Sequence, residues 1–240
     1  MTIILDGTNG ITSPGETLTG TQTLAAGTTS IAPLKFQSGT SLTTATAGVM
    51  EYDGKVVYAT PQSTERGVVP GAQFFRLNAN LAGANVNTAQ NMFGVGVTLS
   101  SSTVYQFEAL YVLSKTAGTT SHTIGLGFAG TATVNNILYE AAGAYALGAL
   151  PGLDSATTGA MVSDTTSNTA ATSTAGGTTA IQSRSFIIRG AVSVNAGGTF
   201  IPQYTLSAAP GGAYATVAGS YFLIYPIGTA GANTSVGTWA

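Results

Sequence analysis

A few groups of residues in this chain are of types, and at spacings, that could do chemistry. Gly125-Leu126-Gly127-Phe128-Ala129-Gly130 fits the G-x-G-x-x-G pattern of a dinucleotide-binding turn. That chemistry needs a strand before the glycines, a helix after them to receive the pyrophosphate, and an acidic residue about 20 positions on. Thr131-Ala132-Thr133-Val134-Asn135 follows instead, a strand-forming run; Glu140 comes too early and Asp154 falls in a loop-like stretch. The glycines are expected on a crowded strand or at a bend, and no cofactor is expected.

His122 is the only imidazole. A catalytic histidine needs a nucleophile and an orienting acid in space. Its neighbours Ser121 and Thr123 would point to the opposite face of a strand, so His122 is read as a polar strand residue or a subunit-contact residue. One histidine and no cysteine also leave little to bind a transition metal. Glu51 and Asp53 would share a strand face, and paired carboxylates serve glycosidases. Asp53 precedes Gly54, however, and reads as a turn residue. Glu51 is expected to face Lys55 across a hairpin as a surface ion pair. No catalytic residue is assigned.

Glu108 interrupts an apolar strand, with Arg184, Arg189 and Arg76 as candidate partners. A carboxylate–arginine pair inside a subunit interface would fix register, so Glu108, Arg184 and Arg189 are candidate intersubunit contacts. Tyr204, Tyr214, Tyr221 and Tyr225 cluster late, near Phe222. Exposed tyrosines could stack on sugars, which makes these four candidate glycan or receptor contacts; packing in a core or interface is the competing use. Trp239, after a Gly/Thr-rich tail, has two readings: insertion into a neighbouring subunit, or simple exposure.

The elements that must position these residues are strands. Thr and Val favour extended backbone, Gly and Asn supply turns, and helical signal is nearly absent. In 103–114, Tyr105, Phe107, Ala109, Tyr111 and Leu113 share one face, and Val104, Gln106, Glu108, Leu110 and Val112 the other. Ile124, Leu126 and Phe128 point one way, and Phe186, Ile188, Val192 and Val194 make another core face. Residues 200–206 and 220–227 are further strands. Roughly eight strands at this spacing suit a β-sandwich of jelly-roll type. The stretch 155–177 reads mainly as long loops, with Met161-Val162 as a short strand.

Before this head, which spans 72–240, the chain changes character twice. Residues 1–30 hold an Ile3-Ile4-Leu5 strand, then the turn signals of Asp6-Gly7-Thr8-Asn9-Gly10, and cannot build a core. They are expected to be a flexible arm, or extended chain that packs on a partner. Residues 31–71 hold a short apolar strand, Ile31-Ala32-Pro33-Leu34-Lys35-Phe36. A hairpin follows, with arms 49–52 and 55–59 about a tight Asp53-Gly54 turn, then a linker at 66–71.

Composition narrows the function classes. Of 240 residues only 7% are charged, with 7 Lys+Arg, 9 Asp+Glu and a net charge of −2. No basic patch is available for phosphates, so nucleic acid is not an expected partner. Cysteine is absent, which removes disulfides and thiol catalysis. No apolar run approaches the roughly 18 residues of a membrane span, and Met1-Thr2-Ile3-Ile4-Leu5 lacks the basic start of a secretory signal. With 44% hydrophobic residues the chain is not of disordered type. Few charges leave a bare surface weakly solvated, which favours burial against copies of the same chain.

Two stretches resemble bacteriophage virion appendage proteins. Ile4-Leu5-Asp6-Gly7-Thr8-Asn9-Gly10-Ile11-Thr12, with Ala32-Pro33-Leu34-Lys35-Phe36 and Glu51-Tyr52-Asp53-Gly54, resembles shaft and neck segments of trimeric tail fibres. Gly198-Thr199-Phe200-Ile201-Pro202-Gln203-Tyr204 through Ala218-Gly219-Ser220-Tyr221-Phe222 resembles the C-terminal head of such fibres. The resemblance implies a homotrimer with a jelly-roll-like head, located in the virion and assembled in the host cytoplasm. It also implies docking on other virion proteins through the arm residues Ile3, Ile4, Leu5 and Asp6, and contact with a host surface glycan through the head. A capsid decoration protein is the second reading. A glycan-cleaving appendage enzyme is the third, and it needs paired acids that nine acids in the whole chain scarcely supply.

Overall fold

The computed structural model describes residues 19, 21, 23–147, 158–164, 171–172 and 180–239. Ile3, Ile4, Leu5 and Asp6 lie outside the described residues, as does most of the stretch expected to be loop at 155–177. The chain divides into two compact units, 1–37 and 38–240, a boundary that differs from those expected after residues 30 and 71. Among the described residues the protein is all-β, without a helix.

In the first unit the described backbone forms no strand, so the strand expected at 31–36 is absent. A strand is stable only against a partner ladder, and Pro33 has no N–H to give one. Ile31 and Leu34 stand exposed.

The second unit opens with an antiparallel three-stranded sheet, β1 (Met50–Tyr52), β2 (Val57–Ala59) and β3 (Gly67–Val69), in that spatial order. Tyr52 pairs with Val57, so the connection is Asp53 to Val56, two residues longer than the tight turn expected. The carboxylate explains the wider loop: Asp53 Oδ1 accepts from the amides of Lys55 and Val56 at 2.7 and 2.9 Å, capping the turn from within. Gly54 supplies the positive φ of 92°. The expected linker at 66–71 is instead the third strand, because Val68 and Val69 complete the ladder against Tyr58 and Val57.

Then come the short strands β4 (Gln73–Arg76), β5 (Leu81–Ala82), β6 (Gln90–Asn91) and β7 (Val97–Leu99). Next are β8 (Thr103–Lys115), β9 (Ile124–Ala129), β10 (Thr133–Leu147), β11 (Thr158–Asp164), the two-residue β12 (Ala171–Thr172), β13 (Gln182–Ala196) and β14 (Gly198–Leu206). The last two are β15 (Ala215–Thr216) and β16 (Tyr221–Thr229). One sheet of eight strands runs β11-β10-β13-β8; beyond β8, β16 and then β4 line one half of that strand, β15 and then β5 the other. A second sheet runs β12-β9-β14-β6, with β7 also paired to β14.

The two sheets share one apolar core. From the first come Phe107, Tyr139, Ile188 and Phe222; from the second Leu126, Phe128, Phe200 and Tyr204. Phe128 and Phe200 stack at 4.5 Å between centroids, and Phe107 meets Phe128 edge-on at 5.2 Å, both favoured ring geometries. Gly190 lies between Phe107 and Tyr139 in the ladder, and a Cβ there would stand 2.8 Å from Phe107 Cζ. The missing side chain is the room the ring occupies. The expected alternation on β8, β9 and β13 holds: the residues assigned to the core faces are buried.

Candidate functional site

Strand parity decides where each candidate residue points. Gly125, Gly127 and Gly130 lie on β9 and just beyond it, and β10 follows where a dinucleotide fold needs a helix. At Gly130 φ is +124°, and a Cβ would collide with the Thr199 carbonyl. Gly130 permits a close approach of the β14 backbone.

Glu51 and Asp53 enter separate networks. Asp53 Oδ2 accepts from Tyr58 Oη at 2.8 Å. Burial pushes the Asp53 carboxyl up, but the Val56 and Lys55 amides and the Tyr58 hydroxyl outweigh it, and its pKa falls below 3.8. Glu51 does not pair with Lys55. Its Oε2 accepts from Arg66 Nε at 2.8 Å and its Oε1 from the Leu42 amide at 2.6 Å, while Arg66 Nη2 donates to the Leu42 carbonyl at 2.7 Å. Lys55 reaches away to the Ser101 carbonyl at 2.7 Å. The ion pair went to Arg66 because β3, unforeseen, lies beside β2.

A buried polar cluster closes one end of the core. His122, Lys115, Gln182, Arg184 and Tyr214 are each no more than 2% exposed. His122 Nδ1 lies 2.7 Å from the Thr120 carbonyl and Nε2 lies 2.8 Å from Tyr214 Oη. Gln182 is 2.6 Å from that hydroxyl; with its amide nitrogen on that side, its oxygen accepts from Arg184 Nε and Nη2 at 2.9 and 2.8 Å. The donors then run one way: Arg184 to Gln182, to Tyr214, to the bare Nε2 of His122, whose Nδ1–H donates to Thr120. Burial lowers the His122 pKa, the Thr120 carbonyl opposes this, and the Lys115 and Arg184 charges add to the lowering. Lys115 Nζ donates to the Gly118 carbonyl at 2.6 Å. Both imidazole nitrogens are engaged, so this chain of bonds orders a sheet end and presents no free base. No local pattern announces the cluster, because its members come from three distant stretches of the chain, 115–122, 182–184 and 214.

Of the four tyrosines expected at a glycan surface, two are withdrawn from it. Tyr204 is 1% and Tyr214 0% exposed. Tyr204 has the parity of Phe200, which points inward, and Tyr214 belongs to the buried cluster. Burial raises both phenols to about 12. Tyr221 and Tyr225 are half-buried, on the opposite face of β16 from Phe222 and Ile224.

The proposed trio Glu108, Arg184 and Arg189 is split. Arg184 and Arg189 are an odd number of residues apart on β13, so they take opposite faces. Arg184 points into the core; Arg189 is exposed and lies directly across from Glu108 on β8 and from Glu140 on β10. These charges cross the outer face of the eight-stranded sheet. Leu223 and Phe74 continue the row across β16 and β4, and Ile187, Leu110, Tyr221 and Arg76 form the next row. Phe74, Ile187 and Leu138 on this face are 59%, 54% and 52% exposed. Trp239 is 82% exposed, and its Nε1 donates to the Val236 carbonyl.

At an edge of the molecule, β4 and β7 flank an open groove of about 330 Å³ lined by Phe74, Phe75, Phe93, Val95, Val97 and Ile224. Among the described residues no helix is long and apolar enough to cross a membrane. Compared with known protein families, curated proteins and solved structures, the chain matches none.

Proposed function

We propose that this chain is a structural subunit of a bacteriophage particle: a homotrimeric, fibre-like appendage with a jelly-roll-like head. Residues 1–30 dock it on other virion proteins, and the head meets the host surface. The observation that carries the self-association is the union of a nearly uncharged surface with large apolar side chains open to solvent, Phe74, Ile187 and Leu138 among them. Monomeric soluble proteins seldom leave contiguous apolar patches of this kind uncovered. The virion assignment rests on the resemblance of the 4–12 and 198–222 stretches to appendage proteins.

The action proposed is mechanical and multivalent. Three heads on one appendage turn weak contacts into strong attachment through effective concentration. Tyr221 and Tyr225 are the two of the four tyrosines left outside the core, on a face open to a glycan or to a neighbouring subunit. Sedimentation equilibrium tests the association: a trimer has about three times the 23.9 kDa of the chain, and a single chain at working dilution overturns it. Cryo-electron microscopy of the particle tests the place, with density at the tail or neck expected and a shell-wide distribution pointing to capsid decoration instead.

A further inference from the structure

The outer face of the eight-stranded sheet joins three properties seldom found together on a solvated sheet. It is large: β10, β13 and β8 lie side by side over the roughly 40 Å of a 13-residue strand, with the 9 residues of β16 and the 4 of β4 beyond, and at about 4.8 Å per spacing this gives on the order of 600 Å², at the lower end of the per-partner size of a standard interface. It is apolar, with Leu138, Ile187, Leu110, Tyr221, Leu223 and Phe74 on strands from β10 to β4. It is also electrically balanced, with Glu108 and Glu140 set against Arg189 and Arg76.

We infer that this face is the surface by which copies of the chain associate, the β10 side of one copy meeting the β4 side of the next so that Glu140 faces Arg76. The inference rests on the self-association proposed above and gives it a place. A second copy is the occupant the charges select. A balanced face carries no net attraction for a phosphate backbone or an anionic membrane, but it complements itself. Its acid on β10 and its cation on β4 lie on opposite sides of the central Arg189–Glu108 pair. A two-fold contact would make that pair twice, and a head-to-tail contact repeated about a rotation axis once per contact; the trimer proposed above selects the second, which closes into a ring. Within one copy Arg189 is already flanked by opposite charge from both neighbouring strands. Arg76 reaches along its own chain to Asn78 Oδ1 at 2.7 Å and has donors left for a carboxylate across the contact.

Surface substitutions test this in the full chain. Ile187→Lys and Leu138→Lys change outward side chains, so the folded chain should keep its thermal melting profile. Met50→Lys, at a residue 49% exposed on the separate three-stranded sheet, is the control. Sedimentation of the wild type is expected to give an oligomer. Both face variants should shift to single-chain mass, with the dissociation constant raised at least about tenfold, and the control should remain associated. If Lys at either position lowers the melting temperature, Ser at that position replaces it. A folded Ile187 or Leu138 variant that keeps the wild-type mass overturns the inference and leaves self-association standing. A wild type that sediments as one chain overturns self-association itself. Arg76→Glu should weaken the contact and the double variant Arg76→Glu, Glu140→Arg should restore it; failure to restore overturns the Glu140–Arg76 pairing.

Discussion

Strands β8 and β13 carry charge on both of their faces, and the two sets of charges live under different rules. Inside, Lys115 and Arg184 are 2% exposed. They are held by directed hydrogen bonds to carbonyls and to the Gln182 amide. A buried ion without such partners costs several kcal/mol, so the inner set depends on the carbonyl and amide oxygens that receive its donors. Outside, Arg189, Glu108 and Glu140 are set by ladder register, one opposite the next, among apolar neighbours. The inner cluster ties one chain together; the outer row gives a face a pattern that another chain can read.

The comparison is broken most forcefully at the core. Phe107 contacts the rings of Phe128, Phe200, Phe222 and Tyr139, while its neighbour Gln106 points out. Phe107→Ala should cost about 3–5 kcal/mol in chemical denaturation, and Gln106→Ala less than about 0.5 kcal/mol. Equal losses would mean that the two faces of β8 are not inner and outer.

Next comes the hydroxyl that joins the inner cluster. Tyr214→Phe keeps the ring and removes the group between His122 and Gln182, leaving two buried polar atoms unpaired. A loss of about 1–3 kcal/mol is expected. Tyr225→Phe, half-buried on the outer face, should stay within about 0.5 kcal/mol. A Tyr214→Phe protein as stable as the wild type would show that the cluster is ornamental.

The outer charges should matter least to the fold. Glu108→Gln leaves the strand and its apolar neighbours intact, and its effect on chain stability should lie within about 0.5 kcal/mol. A loss comparable to that of Tyr214→Phe would place Glu108 in a role internal to the chain.

The class of fold and the core faces were legible because period-two patterning is written residue by residue: 103–114 and 184–194 name their inner sides directly. Three features were not. β10 is too poor in large apolar residues after Tyr139 to announce its 15-residue length, and it is held by ladders to β11 and β13 rather than by pattern. β3 depends on β2 being beside it, a tertiary fact. The buried cluster joins residues from 115 to 214, and no local rule reaches across that distance. Two orientations, by contrast, are written in the sequence. The parity of Arg184 with Phe186, and of Tyr204 with Phe200, already turned both side chains inward.

The finest distinction between the two sets of charges is their response to acid. An ordinary imidazole titrates near 6.5, and burial holds folded His122 below that value. Between the two values the unfolded chain binds a proton that the folded chain refuses, so stability rises with pH across that window. The contribution is whole above about pH 6.5 and is lost as pH falls below it, until the folded imidazole also protonates. The groups that face the ring agree with this sign: Lys115 and Arg184 repel a second positive charge, and the Tyr214 hydroxyl donates to Nε2, which would have to give up its lone pair. The unfolding midpoint of the wild type, followed from pH 8 to pH 5, should therefore bend downward in the acidic half. His122→Gln, which cannot titrate, should give a flatter line even if it starts lower. Parallel curves for the two proteins would mean that the folded chain takes up the His122 proton as readily as the unfolded one, and the bare Nε2 accepting from Tyr214 would have to be given up.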